Sequence, residues 1–414
     1  MKYVIIGNSA AGLSAAKEIR SKDIKGSITI IGREDFPAYG RPMISYYLKD
    51  KVSLDKLPIH DEQFYKDNDI KVIIDSAEAL DLKGKKVKTG ANDDIPYDKL
   101  ILATGSVPFV PPINNLKSQS NVYTFLDVAN AKALKAAVNQ DTRVVILGGG
   151  LIALKAAEGL RGITSNISVV ELADRILPTI LNKESSEVVR AHIEKQGIKF
   201  YLADTISEVK GDNKIISVVL KSGVEIPADI FVVAVGVRPE VKLAKDAGIT
   251  VNRGIVINSR MQTSAENVYA AGDCVETLDT LDGATKIIAL WPQAVVGGKL
   301  AGANAAGEKK EAEGAFPFNA IDFFGLRMIT GGIINPPEGY KTVSFKDDRG
   351  YSTFVIKNDK LFGYMLIGDV ERAGLFTDII RNGYKLSGLK NVLKSREFLS
   401  FESELRSLKY RGLI

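Results

Sequence analysis

Residues 2–12 read KYVIIGNSAAG, and the rest of the chain is organised around what this stretch holds. Val4, Ile5 and Ile6 form the apolar core of a buried parallel strand, and Gly7 and Gly12 bracket a turn into the amphipathic run LSAAKEIR. A strand, a glycine turn and a helix in that order make a dinucleotide site. Gly7 permits the tight bend, a small residue at position 9 lets the backbone approach a pyrophosphate, and Gly12 lets helix and strand pack closely. The helix N-terminus at Ala10 and Ala11 offers free amide hydrogens to the phosphates. Ser9 stands where glycine is usual and crowds that approach slightly.

At 414 residues the chain exceeds one ordinary core and predicts two or three domains. Its apolar share of 45% with 25% charged residues is that of a globular protein. A net charge of +5 without a long basic block gives no sign of nucleic-acid binding. Apolar runs such as IFVVAV at 230–235 are strand-sized, so no membrane span is expected. The start MKYVIIG reads as a first strand rather than a secretory signal, because glycine ends the run and Lys17, Glu18 and Arg20 follow quickly. Cys274 is the sole cysteine, which excludes an internal disulfide, a cysteine zinc site and a self-contained iron–sulfur cluster. His60 and His192 are the only histidines, too few for a histidine metal cluster. The chemistry must therefore be carried by a bound cofactor, with no metal and no confident catalytic side chain. The expected compartment is the cytoplasm.

Further along, SITIIGREDF at 27–36 is a second strand, and Glu34 falls where a dinucleotide fold places a carboxylate on ribose hydroxyls. In PAYGRPMISYYL, Tyr39 to Pro42 form a turn into a helix, and Arg41 on its own reads as a surface residue. Residues 72–105 read as a strand, two tight turns at KGKK and GANDD, and a strand ending in glycine. A polar stretch over 113–141 contains the helix-like DVANAKALKAAV. Then TRVVILGGGLIALKAAEGLRG repeats the opening: Gly148 matches Gly7, Gly150 matches Ser9 and Ala153 matches Gly12 at an offset of 141. Its second strand ends in Glu171, 23 residues after Gly148, the spacing of a ribose-binding acid. That carboxylate favours NADH over NADPH by repelling a 2′-phosphate, and Arg175 nearby tempers the preference. Residues 198–236 repeat the two-turn excursion and end in Gly236, so two equivalent nucleotide-binding units are predicted. In TSAENVYAAGDCVE, a strand over 268–270 delivers Gly272 and Asp273, which contact a cofactor only if this segment rejoins the first unit. Trp291 opens a small-residue helix and reads either as core or as a cofactor contact. From Pro317 alternating strands and the helical AGLFTDIIRNG predict a small α+β domain. The tail sets Lys390, Lys394, Arg396, Arg406, Lys409 and Arg411 against Glu397, Glu402 and Glu404, a solvated helix or a docking face for an acidic protein.

The run of GNSAAG, PAYGRP, LILATGSVP, VVILGGGLIA, VVEL, VAVGVRP, NVYAAGDC and LWPQAV resembles the pyridine nucleotide-disulfide oxidoreductase superfamily over essentially the whole chain. Within it the chain looks most like NADH:rubredoxin reductases and the flavin part of NADH-dependent nitrite reductases. The resemblance implies an α/β fold with two Rossmann-like dinucleotide domains and a small C-terminal α+β domain. It places an FAD domain at 1–112 and 247–316, interrupted by an NAD domain at 113–246, with the last domain at 317–414. FAD would be held by Gly7, Ser9, Ala10, Ala11, Gly12 and Glu34, with Arg41, Pro42, Ala77, Thr104, Gly105, Gly272 and Asp273 contacting the rest. Trp291, Gln293 and Ala294 would lie by the isoalloxazine ring, and Gly148, Gly150, Leu151, Ile152, Glu171 and Gly236 would hold NAD(H).

Two departures from that pattern matter. No cysteine stands between residues 35 and 50, where thiol-using members carry theirs, so reduction through a protein thiolate is disfavoured. Lys155 occupies the place where many relatives carry a glutamate that meets the nicotinamide amide, and Glu158 follows one turn later. The implied activity is hydride exchange between NADH and FAD, with single electrons passed to a rubredoxin, ferredoxin or other iron–sulfur partner. The alternative is an electron-transfer subunit of a larger anaerobic redox complex of the aldehyde or 2-oxoacid oxidoreductase type. A complex subunit and a homo-oligomer are both left open.

Overall fold

The computed structural model describes residues 1–388, so the basic tail from Lys390 lies outside the described residues. The opening strand Lys2–Ile6 is buried from Tyr3 onward because every residue there is apolar, and it becomes the centre of a five-stranded sheet. In spatial order that sheet runs Val268–Ala270, Lys99–Leu102, Lys2–Ile6, Ser27–Gly32 and Ile70–Ile74, all parallel. The pairing of Val268 with Leu100 and Ala270 with Leu102 returns a segment from late in the chain to the first unit. That is the condition under which Gly272 and Asp273 join the opening glycine turn.

A second parallel sheet repeats the plan, in the order Lys199–Leu202, Ile167–Glu171, Val144–Leu147, Ile230–Val233 and Val122–Thr124. Each sheet carries a three-stranded antiparallel excursion at 77–96 and 206–227, where the sequence shows its paired tight turns. The two units are joined by an antiparallel ribbon in which Ser106–Pro108 pairs with Val237–Pro239.

Helix Ala10–Lys22 packs on helix Trp291–Ala305 through glycines rather than side chains. A methyl at Gly298 would lie 2.2 Å from the Ala11 carbonyl oxygen, and one at Gly302 would lie 2.5 Å from that of Ala15. Only hydrogen fits at those two positions.

The C-terminal part is an antiparallel sheet ordered Phe318–Phe323, Leu326–Gly332, Lys360–Gly368, Gly350–Lys357 and Lys341–Asp347. Helix Ala373–Asn382 closes one face, seating Phe376 4.9 Å from the ring of Phe354 and 5.6 Å from that of Tyr364. Among the described residues no helix is long and apolar enough to cross a membrane.

Candidate functional site: two glycine cradles

The first cradle is set by backbone contacts that exclude any side chain. Gly7 has φ +115°, and a Cβ there would stand 2.0 Å from the Ala103 carbonyl oxygen. At Gly12 the corresponding distance is 1.9 Å to the Gly7 carbonyl oxygen. The turn is thereby folded hard against the end of Lys99–Leu102, and the helix starts at once. Its first intrahelical bond is Leu13 N–H to the Ser9 carbonyl at 2.9 Å, so the amides of Ala10, Ala11 and Gly12 have no acceptor within the helix. Ser9 sits at the N-cap in an extended conformation, and its hydroxyl makes no capping bond.

Three remote segments converge on this helix end. A Cβ on Gly272, which has φ +90°, would lie 3.1 Å from the Cβ of Ala11 and 3.9 Å from that of Ala294. The neighbouring Asp273 accepts a hydrogen bond from the Ser106 hydroxyl at 3.2 Å. Burial pushes its carboxyl up, opposed by Ser106 and by the charge of Arg41. Thr104 donates to the Glu240 carbonyl at 2.6 Å, and Gly105 at φ +70° has open space where a Cβ would point. Helix Trp291–Ala305 begins beside Gly272; its first bond is Ala294 N–H to the Leu290 carbonyl at 2.9 Å. The amides of Trp291 and Gln293 therefore have no helical acceptor, and Pro292 has no amide hydrogen. Trp291 is partly buried against the core of the first unit. Ala77 pairs with Thr89 and packs on the core beneath the same sheet.

Glu34 and Arg41, read separately in the sequence, are brought together. One Glu34 carboxylate oxygen is ion-paired with Arg41, and the other accepts from the Tyr39 hydroxyl at 2.7 Å. Arg41 also donates to the Leu126 carbonyl at 3.3 Å, while the Tyr39 oxygen accepts Val128 N–H at 3.0 Å. Pro42 is exposed at the start of the short helical turn that follows. Sequence reasoning missed Tyr39, a fully buried phenol that ties this cluster to the helix Val128–Ala137. Its place between Glu34 and Arg41 in PAYGRP was the available signal.

The second cradle copies the first. Gly148 has φ +113°, and a Cβ would stand 2.4 Å from the Ala234 carbonyl oxygen. Gly150 is the N-cap of helix Leu151–Leu160 and faces open space, Leu151 and Ile152 form its partly exposed first turn, and Ala153 is fully buried. Glu171 accepts from the Gly149 amide with one oxygen and from the Ala173 amide, at 2.7 Å, with the other. The Gly149 contact ties its carboxylate to the glycine turn, and the Ala173 contact holds it from its own loop. Arg175 pairs instead with Asp174 at 2.8 Å. Gly236, at φ +115°, opens onto free space at the end of Ile230–Val233, near the exposed Val235.

Lys155 does not stand free in the second cradle. Its ammonium is paired with Glu158 and donates to the Asp322 carbonyl at 3.0 Å.

Residues 1–298 match the family model described as pyridine nucleotide-disulphide oxidoreductase. Residues 317–384 match that of the rubredoxin NAD+ reductase C-terminal domain. The nitrite reductase [NAD(P)H] of Bacillus subtilis is 33% identical over 94% of this chain and 48% of its own. The rubredoxin-NAD(+) reductase of Pseudomonas putida is 33% identical over 66% of this chain and 72% of its own. The solved NADH:rubredoxin oxidoreductase of Clostridium acetobutylicum superposes with a TM-score of 0.79 at 25% identity, covering 94% of this chain and 97% of its own. The chain spans about half the length of the nitrite reductase it matches.

Proposed function

The chain belongs to the pyridine nucleotide-disulphide oxidoreductase family, and from that premise we propose that it is a cytoplasmic FAD-dependent NADH oxidoreductase serving a rubredoxin- or iron–sulfur-type protein. The observation that carries this reading is the pairing of two glycine cradles, the first completed by Gly272 and Asp273. FAD, when bound, supplies the conversion of a hydride from NADH into single electrons for a protein acceptor.

The residues present fit both groups. At the first cradle, the unused amides of Ala10, Ala11 and Gly12 suit a diphosphate, the open face of Gly105 leaves room for a ligand, and Gly272 lets its backbone sit close to Ala11 and Ala294. Asp273 would hold a polyol hydroxyl, because among the described residues its partly buried carboxylate has only Ser106 as a hydrogen-bond donor from a side chain. Glu34 would serve the adenosine ribose, with Arg41 and Tyr39 fixing its carboxylate. Trp291, Gln293 and Ala294 would lie by the ring at the end of their helix, and Pro42, Thr104 and Gly105 would contact other parts of the cofactor. At the second cradle, Gly148, Gly150, Leu151, Ile152 and Gly236 would hold the NAD(H) backbone and Glu171 its ribose. No side chain is needed as acid or base; the protein aligns the ligands and keeps water from between them.

The same reading divides the chain into an FAD part at 1–112 and 247–316, an NAD part at 113–246 and a C-terminal part at 317–414. Sheet membership supports it. A second reading, an electron-transfer subunit of a larger redox complex, is favoured by likeness to the assimilatory nitrate reductase electron transfer subunit of Bacillus subtilis, 30% identical over 89% of this chain. The experiment that decides between them is acid release and identification of the flavin, followed by assay of the isolated chain with NADH and a purified rubredoxin. FAD and full turnover support the first reading. FAD without turnover until cysteine-rich partner subunits are added supports the second, and a chain that retains no flavin overturns both.

A further inference from the structure

Outside both cradles lies a charge node that the proposed chemistry does not use. Glu158 is only 5% exposed, and Lys49 and Lys155 are 12% and 14% exposed. One Glu158 oxygen accepts from Lys49 at 2.8 Å and from the Phe324 amide at 3.1 Å; the other is paired with Lys155. Two ammonium groups share one carboxylate, so the second needs further compensation. The Asp322 carbonyl supplies it at 3.0 Å, together with the ring of Tyr46, which lies 4.6 Å from the Lys49 nitrogen and 5.2 Å from that of Lys155.

The partners belong to three separate parts of the molecule. Tyr46 and Lys49 lie on and just after the helix Ile44–Leu48, which follows Arg41 and Pro42 of the first cradle. Lys155 and Glu158 lie on the helix whose first turn is Leu151 and Ile152 of the second. Asp322 and Phe324 form the tip of the hairpin between Phe318–Phe323 and Leu326–Gly332, with φ of +51° at Phe324 and +87° at Gly325. His192, from helix Lys183–Glu194, meets the Phe324 carbonyl at 3.2 Å and adds a further contact to the tip. The helices Ile44–Leu48 and Leu151–Leu160 are also in direct contact, since a Cβ on Gly159 would stand 2.8 Å from that of Leu48. A buried, multiply charged contact adds little to stability over apolar packing, but it penalises every arrangement that leaves a charge unpaired.

We propose that Lys155 is a positioning residue: with Glu158 and Lys49 it uses the tip of the C-terminal hairpin as a strut that fixes the spacing of the two nucleotide cradles. The functional consequence rests on the reading above, in which the ligands of those cradles must meet at reacting distance; the strut itself does not. A lysine at this position is thus committed to inter-unit geometry, which accounts for its standing where a nicotinamide contact was expected.

The test uses the FAD-loaded full chain with spin labels at Lys83→Cys and Lys221→Cys, one on the excursion of each sheet, both exposed. Cys274 is fully buried and takes no label. The label-to-label distance is compared between the parent, Lys155→Met and Lys155→Arg. Flavin bleaching at saturating NADH is followed on the unlabelled proteins. Lys155→Met is expected to shift or broaden the distance distribution and to slow bleaching about a hundredfold with little change in the NADH concentration giving half-maximal rate. Lys155→Arg, which keeps charge and donors, restores both. An unchanged distance distribution in Lys155→Met overturns the proposal. A parent protein that NADH fails to bleach overturns the functional reading instead, while the distance still judges the strut. Should Lys155→Met not fold, Lys155→Gln, which keeps a donor for the Asp322 carbonyl without the charge, carries the same comparison.

Discussion

Replacing Gly298 by alanine pits helix propensity against packing at the site. The new methyl would lie 2.2 Å from the Ala11 carbonyl oxygen, and ordinary contact begins at 3.4 Å. Helix Trp291–Ala305 must then retreat by about 1 Å. It cannot pivot about the next turn, because Gly302 is also pressed on Ala15, where a Cβ would lie 2.5 Å from the carbonyl oxygen. Alanine for glycine within a helix returns about 1 kcal/mol, and overpacking of this kind costs about 1–3 kcal/mol. The net loss of stability is therefore only ~0–2 kcal/mol. The site suffers more, since the retreat carries Trp291, Gln293 and Ala294 away from Gly272, and a displacement of about 1 Å costs on the order of a hundredfold in a positioned reaction. Gly297→Ala is the control: its nearest neighbours are 3.6 Å and 3.8 Å away, so it gains propensity without a clash. The assay is the denaturant midpoint of each protein together with retention of bound flavin through gel filtration. Gly297→Ala should retain flavin and hold or raise its midpoint, whereas Gly298→Ala should lose flavin at a midpoint near the parent's. Equal behaviour of the two variants would refute the glycine-to-carbonyl packing as the device that places the late helix.

Two further outcomes are expected. Glu171→Gln removes the charge at the ribose-binding position and keeps an acceptor for only one of the Gly149 and Ala173 amides; a partly exposed charge contributes about 1 kcal/mol, so the preference for NADH over NADPH should narrow about fivefold. An unchanged preference in steady-state rates would place the discriminating contact elsewhere. Glu158 supplies a pH dependence of definite sign. Burial alone would raise its carboxyl, but the ammonium groups of Lys155 and Lys49 and the Phe324 amide outweigh it and hold the group below its ordinary value. Its stabilisation is accordingly complete above the ordinary glutamate value of about 4.3 and is lost as pH falls through the lower folded value. Denaturant midpoints measured from neutrality down to about pH 3 should fall less steeply in Glu158→Gln than in the parent, and a steeper fall would contradict the assignment.

What could be read from the chain alone is what local chemistry fixes. Gly12 is dictated by the nearby Gly7 carbonyl oxygen, and although Gly7 and Gly148 are pressed on the remote Ala103 and Ala234 carbonyls, their fingerprint spacing is local and identifies them and the paired units together. The strand at 268–270 and the tight-turn excursions follow from apolar runs and turn residues, again local signals. Where three segments meet, the chain gave less. Arg41 looks like a surface residue until the fold sets Glu34 and Tyr39 beside it, and nothing within the PAYGRP turn announces Leu126 or Val128 as partners. Lys155 is the sharpest case. Read along the helix it is a departure from the nicotinamide-binding pattern with Glu158 one turn on, yet its other partners lie 167 residues away at Asp322 and in the first unit at Tyr46. Spacing cannot encode a contact whose geometry is set by the docking of three separate parts.

An anaerobic titration of the purified, FAD-loaded chain with NADH, followed through the flavin absorption band, bears most directly on the proposed function. Stoichiometric bleaching is predicted, with NADPH markedly less effective at equal concentration because of the Glu171 carboxylate. A flavin that stays oxidised through an excess of NADH would contradict the account at its foundation, whatever the fold.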